Sequence, residues 1–475
     1  MTNTVRPPIV VILGHVDHGK TTLLDYIRST HRAAKEAGGI TQSIGAYQAD
    51  YKGKSLTFID TPGHAAFSKM RSRGASIADV AVLVVAADDG VKPQTLESIK
   101  HLKAAEIPYV VAINKIDKEG VSPEVAKAEL TQAEVFVEGY GGNTPFVLIS
   151  GKTGKGVDTL LETILLLADL EELKGDPTAP LKAPIIEAHK DNHKGFIVSV
   201  VVRDGSLKLG DVVHAGVASG KIKAIFNDLG KSTTEVLPGV PAQILGWDNL
   251  PSVGEVVEPG PYDPATAPIA EASTVAAVEG QHLNIILKAD TEGSLEAIMG
   301  SFPPEVNIVD SSTGDITESD VLLASTTKSI ILGFNSKVTN TIKKLAEVEH
   351  VRILSHAIIY ELLEFIEKKI LRLLEPNYDE KILGEGTILK VFEINKDKIA
   401  GVKVTSGKME TGTTIHLKRA DGTVKDARIK AMRIGKDEVK VAEAGVECGL
   451  LLFPNLDIKE KDAIISFQKA AEDLL

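Results

Sequence analysis

The chain has 475 residues, a formal net charge of −12 and a single cysteine, Cys448. Its length predicts three or more domains, each with its own core. A single cysteine excludes an internal disulfide and a metal site built from several cysteines, and the acidic balance argues against general affinity for nucleic acid. Because the sequence shows neither an apolar run of membrane-spanning length nor a signal-peptide pattern, we expect a cytoplasmic protein that does not interact with membranes.

The first motif is a glycine-rich loop between a predicted strand and a predicted helix. Residues 14–21 match the phosphate-binding pattern G-x-x-x-x-G-K-[ST] without a mismatch, and the apolar run 9–13 precedes them. In such a loop the backbone N–H groups surround a diphosphate, Lys20 reaches the β- and γ-phosphates, and the Thr21 hydroxyl binds Mg²⁺. The motif predicts a nucleoside triphosphate site made of Gly14, His15, Val16, Asp17, His18, Gly19, Lys20, Thr21 and Thr22.

The second motif, Asp-Thr-Pro-Gly-His at 60–64, follows the predicted strand 56–59. Strand ends in an open α/β sheet are where ligands collect. We expect Asp60 to hold Mg²⁺ through water, the Gly63 N–H to sense the γ-phosphate, and His64 to orient the attacking water. The Gly-Gly-Ile-Thr stretch at 38–41 has the composition of a switch segment, with Thr41 as a further ligand of Mg²⁺.

The third motif, Asn114-Lys115-Ile116-Asp117, ends a predicted buried strand, and Ser150-Gly151-Lys152 ends the next one. A carboxylate at Asp117 can accept hydrogen bonds from the N1–H and the amine of guanine. Adenine offers neither donor there, so a buried acceptor would stay unpaired. The backbone at 150–152 could cover the guanine O6. Alone, residues 114–117 could be a polar turn; after a phosphate loop they favour guanine, and the predicted reaction is attack of water on the γ-phosphate of GTP.

Hydrophobic periodicity divides the chain into five parts. Strands and helices alternate over 1–175, which predicts a P-loop GTPase domain with a doubly wound, mostly parallel sheet. A period of two over 182–258 predicts a β-barrel, and 282–354 predicts an α/β domain of the α/β/α type. The segment 357–375 predicts one connector helix of roughly 25 Å. The segment 381–475 predicts a C-terminal β-barrel, and 259–280 reads as a spacer.

These motifs together resemble the bacterial translation initiation factor 2 family, over nearly the whole chain. The phosphate loop and residues 60–64 are shared by all translational GTPases, whereas residues 316–325 and 447–449 are specific to this family. The resemblance implies a monomer whose GTP hydrolysis to GDP and phosphate is stimulated by the ribosome. It implies the 30S and 50S subunits and formylmethionyl initiator tRNA as partners, and GTP and Mg²⁺ as cofactors.

By this resemblance the C-terminal barrel would bind the formylmethionyl end of the tRNA, in a pocket with Glu447, Cys448, Gly449, Arg433 and Lys436. From the residues alone, a turn beside a buried cysteine is the favoured interpretation of 447–449. The chain departs from the family pattern in having Val402 in place of a second cysteine, Ile434-Gly435 in place of a basic and an aromatic residue, and Gly151 in place of alanine. It also begins close to the GTPase domain, which implies a short form without the long N-terminal region.

Two other functions fit part of this pattern. An elongation-type tRNA carrier would have β-barrels where an α/β domain and a long helix are predicted here. A ribosome-associated GTPase timer, acting in assembly or stress without binding aminoacyl-tRNA, would be compatible with the altered pocket. The leading prediction is an initiation GTPase that delivers or stabilises formylmethionyl initiator tRNA on the small subunit, promotes subunit joining and hydrolyses GTP.

Overall fold

The computed structural model describes residues 4–28, 45–262, 282–374, 380–394, 397–419, 424–454 and 456–469. Over these residues the chain divides into two compact units, Met1–Glu367 and Lys368–Leu475. Thr41, with the rest of the predicted switch stretch 38–41, lies outside the described residues, as does most of the predicted spacer.

The first unit begins with alternating strands and helices. The strands are β1 (Thr4–Val5), β2 (Ile9–Gly14), β3 (Gly45–Tyr51), β4 (Lys54–Asp60), β5 (Val80–Ala86), β6 (Tyr109–Asn114), β7 (Phe146–Leu148) and β8 (Lys174–Gly175). The helices are α1 (Lys20–Arg28), α2 (Ser68–Ile77), α3 (Pro93–Ala105), α4 (Pro123–Gln132) and α5 (Val157–Leu170).

The central sheet of this region has the strand order β3-β4-β2-β5-β6-β7. All neighbours from β4 to β7 are parallel, and β3 pairs with β4 antiparallel. Every residue of β2 and β5 is buried, as expected where helices cover both faces of a parallel sheet. The loops after β2, β4 and β6 therefore meet at one edge of the sheet. The predicted doubly wound GTPase fold is confirmed.

The next region of the first unit is an antiparallel barrel. Its strands are β9 (Ala183–Asp191), β10 (Gly195–Val201), β11 (Leu207–Lys208), β12 (Val212–Ala215), β13 (Ala218–Phe226), β14 (Ser232–Thr233), β15 (Glu235–Val236), β16 (Pro241–Trp247) and β17 (Val256–Pro259). The order is β12-β17-β9-β10-β16-β13-β14, and an additional pairing of β12 with β13 closes the barrel. Alternate residues such as Val198, Val200 and Val202 fill its core.

The last region of the first unit is a parallel sheet with the order β19-β18-β20-β21, flanked by helices. Its elements are β18 (Leu283–Ala289), α6 (Glu292–Ser301), β19 (Val306–Thr313), α7 (Glu318–Thr327), β20 (Ile330–Phe334), α8 (Asn340–Val348), β21 (Ile353–His356) and α9 (Ile359–Leu374). Threonine side chains cap α6, α7 and α8 by accepting a backbone N–H of the first turn. Helix α9 continues past Glu367 and so crosses the division between the units.

Buried carboxylates join the regions of the first unit. Asp79 accepts two hydrogen bonds from Arg6, at 2.6 and 2.7 Å, and one from Arg203 of the barrel at 3.1 Å. Glu187 on β9 accepts the backbone N–H of Gly293 in α6 at 3.3 Å. Burial raises the pKa of Glu187 to about 8, so this carboxyl group is largely protonated at neutral pH.

The second unit is an antiparallel barrel. Its strands are β22 (Glu380–Ile394), β23 (Asp397–Glu410), β24 (Thr414–Lys418), β25 (Val424–Ile434), β26 (Asp437–Glu438), β27 (Val441–Glu443), β28 (Glu447–Phe453) and β29 (Ala463–Lys469). The order is β22-β29-β24-β25-β28-β23-β27, and β22 also pairs with β23. Along β28 buried residues alternate with more exposed ones, which places Cys448, Leu450 and Leu452 in the barrel core.

Among the residues that the structure describes, no helix combines the length and the apolarity needed to cross a membrane.

Candidate functional site

The phosphate loop lies between β2 and α1 and depends on two glycines. Gly14 has φ +146°, and a Cβ there would lie 2.3 Å from the Val84 carbonyl oxygen. Gly19 has φ +85°, and its Cβ would lie 2.4 Å from the Asn114 side-chain nitrogen. Both positions therefore exclude any side chain. The loop folds back over the start of α1, where Lys20 Nζ donates hydrogen bonds to the carbonyl oxygens of Gly14 and His15 at 3.0 and 2.6 Å.

Lys20 is a buried cation that an anion would stabilise. Its side chain is 6% exposed, and burial lowers its pKa to about 8. The negative charge of Asp60 acts in the opposite direction, while Arg71 lowers the pKa further. A phosphate group beside Lys20 would supply the counter-charge that burial leaves incomplete.

The base-recognition loops are tied to the phosphate loop by Asn114, whose side chain is 2% exposed. Its Nδ2 donates to the His18 carbonyl oxygen at 2.8 Å, and its Oδ1 accepts the Gly151 N–H at 2.9 Å. The sequence suggested a nucleotide contact for Asn114 but did not reveal this bridge. Asp117 is exposed in this structure, and a hydrogen bond from Ser150 lowers its pKa, so its carboxylate is ionised.

These loops enclose one cavity of about 350 Å³. Its lining is Val16, Asp17, Gly19, Lys20, Thr21, Thr22, Gly63, His64, Asn114, Lys115, Asp117, Lys118 and Lys152. The other predicted residues within the described part of the chain lie next to this lining but are not in it: Gly14, His15, His18, Asp60, Ser150 and Gly151. The structure therefore brings the predicted phosphate-binding, hydrolytic and guanine-binding segments to a single site.

One residue of the cavity lining, Lys118, was not predicted. Lys118 lines the cavity, and both it and Lys115 form ion pairs with Asp88, at 2.5 and 3.4 Å. The signal for Lys118 was its place directly after Asp117. His18, in contrast, is fully buried beneath the loop, 3.3 Å from the Val84 carbonyl and 3.4 Å from the Asp89 carboxylate. Burial lowers the pKa of His18 to about 4, so its imidazole is neutral, and its predicted contact with the nucleotide is left to its backbone.

The loop at 60–64 is held by Arg71, a fully buried side chain of α2. Arg71 donates to the carbonyl oxygens of Pro62 and His64 at 3.1 and 2.5 Å and pairs with Glu97 at 2.7 Å. A Cβ on Gly63 would lie 2.5 Å from Lys20 Nζ, so the loop passes directly beside the lysine that is predicted to bind phosphate. No local sequence pattern marks Arg71, because its partners are distant in the chain.

The His64 imidazole is half-buried and neutral. Burial, and then the charge of Arg71, lower its pKa to about 4. Neither ring nitrogen has a hydrogen-bond partner among the described residues. The ring centroid lies 4.0 Å from that of Tyr360 in α9 and 6.1 Å from that of Phe67. A neutral imidazole at the edge of the cavity can accept or donate one hydrogen bond to a water molecule.

Oxygen donors for Mg²⁺ lie at the phosphate end of the cavity. Thr21 lines it, and Asp60 is 4% exposed and close enough for its charge to act on Lys20. A hydroxyl and a buried carboxylate are hard donors of the kind that Mg²⁺ prefers, so the residues present fit this ion. No cluster of three or more His, Cys, Asp or Glu side chains suited to a metal occurs in the described ranges.

The second unit carries its own cavity of about 800 Å³ on the outer face of the barrel, here called the C-terminal groove. Its lining is Leu389, Lys390, Phe392, Ile399, Gly401, Val402, Ala431, Arg433, Gly435, Glu447, Cys448, Gly449 and Leu451. Of the predicted pocket residues, Lys436 is not in this lining. The sequence missed the apolar walls, although an aromatic on a strand face, Phe392 at 51% exposed, is a signal for such a site.

The floor of the groove is made of small residues in register. Gly401 on β23 pairs with Gly449 on β28, and Val402 pairs with Cys448. Cys448 is 5% exposed and packs with Val402 in the barrel core, and burial raises the pKa of its thiol to about 11. The thiol is therefore protonated and borders the groove from the core side.

Comparison with known families defines the class of protein. The sequence model of the elongation factor Tu GTP binding domain matches residues 6–169, and that of elongation factor G domain 2 matches 180–259. The fold, the phosphate loop and these matches identify a translational GTPase. The model of translation-initiation factor 2 matches residues 267–367.

Individual relatives identify the family. Translation initiation factor IF-2 of Oceanobacillus iheyensis is 43% identical over 97% of this chain and 71% of that protein. The Thermosipho africanus factor is also 43% identical, over 97% and 70%. The Shouchella clausii factor is 41% identical over 97% of this chain, which spans only 64% of that longer protein. The chain belongs to the bacterial translation initiation factor 2 family, and the predicted family and enzyme class are confirmed.

Among solved structures, GDP-bound aIF5B from Aeropyrum pernix is 26% identical, with 98% of this chain and 92% of that chain covered and a TM-score of 0.48.

Proposed function

We propose that this chain is a GTP-driven carrier in translation initiation. It binds GTP and Mg²⁺, delivers or stabilises formylmethionyl initiator tRNA on the 30S subunit, promotes joining of the 50S subunit and hydrolyses GTP. It acts as a monomer in the cytoplasm. The observation that carries the proposal is the single cavity that brings together Lys20, His64 and Asp117.

Guanine selection is assigned to Asp117. Its carboxylate is kept ionised by the Ser150 hydrogen bond, and it lies on the same cavity as Lys115 and Lys152. An ionised acceptor pairs with the N1–H and amine of guanine, whereas adenine would leave it unpaired. The Asn114 bridge fixes this loop relative to the phosphate loop, so both ends of the nucleotide are positioned by one rigid framework.

The phosphates are assigned to the backbone of residues 14–22 and to Lys20. Thr21 and Asp60 would hold Mg²⁺, with Thr41, outside the described residues, as the proposed third protein ligand. When bound, the ion neutralises charge on the β- and γ-phosphates. A Cβ added to Gly63 would lie 2.5 Å from Lys20 Nζ, so the Gly63 backbone lies beside this lysine, and its N–H is proposed to contact the γ-phosphate.

His64 is proposed to orient the attacking water. Arg71 fixes the His64 carbonyl, and the ring stays neutral because burial lowers its pKa to about 4. A neutral imidazole can accept a hydrogen bond from water and align one oxygen lone pair with the γ-phosphate. Without the ribosome the reaction should be slow, because hydrolysis is proposed to depend on stimulation by this partner.

The C-terminal groove is proposed to hold the formylmethionyl group. Its apolar walls suit a methionine side chain, and the small residues Gly401 and Gly449 expose backbone on its floor. Arg433 and Glu447 at the groove can pair with polar groups of the tRNA end. Methionine recognition is thus assigned to the outward side chains and floor backbone, with Cys448 supporting the floor from the core.

The test compares wild type with His64→Ala in GTP hydrolysis on ribosomes carrying initiator tRNA. Removal of His64 should lower the ribosome-stimulated rate by about 10²- to 10⁴-fold and leave GTP affinity unchanged. His193→Ala is the matched control, because His193 is exposed in the turn between β9 and β10 and does not line the cavity. A normal rate in His64→Ala would remove the proposed role of this histidine.

A further inference from the structure

The first turn of α9 packs against the residue proposed to orient water. The Tyr360 and His64 ring centroids are 4.0 Å apart with an interplanar angle of 40°, closer than the 6.1 Å between His64 and Phe67. Both residues belong to the first unit. Tyr360 is 45% exposed, so one face of its ring covers the imidazole while the rest of the side chain reaches solvent.

Aromatic packing, rather than a polar contact, fixes the imidazole. Within the described residues both His64 ring nitrogens lack hydrogen-bond partners, and the hydrogen bond from Arg71 to His64 is accepted by the backbone oxygen. The backbone of His64 is therefore held by Arg71, and its ring by Tyr360 and Phe67. A ring held in this way must leave part of its packing before a nitrogen can align a water molecule.

Tyr360 also lies near the phosphate loop. Burial raises the pKa of its phenol, and the negative charge of Asp17 raises it further. Asp17 lines the nucleotide cavity, so the tyrosine is close to both the loop that binds phosphate and the loop that carries His64. No other part of the proposed mechanism uses this side chain.

We propose that Tyr360 is a positioning residue that holds His64 in a resting arrangement, so that the first turn of α9 limits GTP hydrolysis until the helix moves. This inference rests on the proposed role of His64 in hydrolysis. Helix α9 continues past Glu367 into the second unit, so a displacement of the helix is transmitted directly to Tyr360. A partner that displaces the helix would then release the His64 ring from Tyr360.

The experiment uses the full chain without ribosomes and measures single-turnover hydrolysis of GTP. Tyr360→Ala should increase the rate about 2- to 10-fold, the factor that corresponds to losing one aromatic contact. Tyr360→Phe keeps the ring and should retain the wild-type rate. Leu371→Ala, three turns further along the same helix and also exposed, is the matched control and should not change the rate.

A second measurement reports the contact independently of catalysis. NMR titration of the His64 ring, assigned by its loss in His64→Ala, should give a pKa near 4 in the wild type and in Tyr360→Phe. In Tyr360→Ala the pKa should move upward, because the ring becomes more hydrated. This readout separates a change at His64 from a general loss of fold.

The possible failures are distinguishable. An unchanged or decreased rate in Tyr360→Ala, with His64→Ala inactive on ribosomes, would overturn the resting-state proposal alone. An unchanged His64 titration in Tyr360→Ala would overturn it as well. The double variant Tyr360→Ala with His64→Ala gives a further check. If it hydrolyses GTP as fast as a faster Tyr360→Ala single variant, the increase in rate does not depend on His64 and the proposal is wrong. A normal ribosome-stimulated rate in His64→Ala would instead refute the proposed function of His64.

Discussion

The nucleotide site and the C-terminal groove are built in opposite ways. The nucleotide site is made of continuous loops at the ends of parallel strands, so its functional residues are neighbours in sequence, as at 14–22 and 60–64. The groove is made of outward-facing residues on antiparallel strands, with contributions from β22, β23, β25 and β28. The first kind of site can be recognised from short motifs, whereas the second depends on strand register.

The effect of register is clearest at residues 447–449. Successive residues on a strand face opposite sides, so three consecutive side chains cannot all enter one groove. Glu447 and Gly449 lie on the outer side, whereas Cys448 is 5% exposed and packs in the core. The pairing of Val402 with Cys448 shows why valine fits where a second cysteine was expected: the position is a core position.

The largest expected effect tests the motif-based site. Asp117→Asn should shift preference from GTP to xanthosine triphosphate by about 10⁴-fold. The amide keeps one acceptor oxygen, but its NH₂ group faces the guanine amine as a second donor, whereas it can donate to the C2 carbonyl of xanthine. Competition binding with the two nucleotides measures this shift. Glu119→Gln removes the same charge two residues away, outside the cavity lining, and is the control. A variant that still prefers GTP would refute the assignment of Asp117.

An intermediate effect is expected in the groove. A Cβ on Gly449 would meet no atom closer than 3.4 Å, so Gly449→Leu can be accommodated and should fill the groove. We expect its affinity for formylmethionyl initiator tRNA to fall about tenfold or more, with GTP turnover unchanged. Equilibrium binding of labelled tRNA measures this. Unaltered affinity would place the tRNA end elsewhere.

Cys448, the neighbour of Gly449, tests whether the two sides of the groove floor differ in function. Cys448→Ala should change tRNA affinity less than Gly449→Leu does, because the thiol lies on the core side of the floor. It should lower the stability of the second unit by about 1 kcal/mol through lost packing. Chemical denaturation and tRNA binding on the same variant check both parts. A large loss of affinity at wild-type stability would show that the thiol contacts the ligand.

The fold of the first unit and the places of its motifs at the ends of strands could be predicted because each depends on local constraints. Gly14 and Gly19 are required by backbone geometry, and the buried strands follow from continuous apolar runs. Contacts between residues far apart in sequence could not be predicted. These are the Arg71 contacts, the Asn114 bridge and the packing of Tyr360 on His64. In the groove, strand register could not be read from the sequence. Phe392, which lines the groove, was therefore not predicted, and Lys436, which was predicted, does not line it.

A further expected effect is a pH dependence confined to the first unit. The pKa of Glu187 is raised to about 8, above its ordinary value of 4.5, so the folded state keeps a proton that the unfolded chain loses. The contribution of this group to the free energy of unfolding is therefore fully present below pH 4.5 and is lost as the pH rises through about 8. Relative to wild type, Glu187→Gln should melt a few degrees higher at pH 9 and about equally at pH 5.

Thermal unfolding of the two proteins at both pH values measures this difference. The second unit supplies the internal control, because it does not contain Glu187. A wild type and a variant that differ by the same amount at pH 5 and pH 9 would show that Glu187 does not titrate in the folded protein.

The most direct test of the initiation-factor account is protection of the ester bond of formylmethionyl-tRNA by the full chain, with unformylated methionyl-tRNA as the control. The account predicts slower hydrolysis of the formylated ester in the presence of the wild type and loss of that protection in Gly449→Leu. Equal hydrolysis of both esters, with ribosome-stimulated GTP hydrolysis intact, would contradict it and favour a ribosome-associated GTPase timer that does not bind aminoacyl-tRNA.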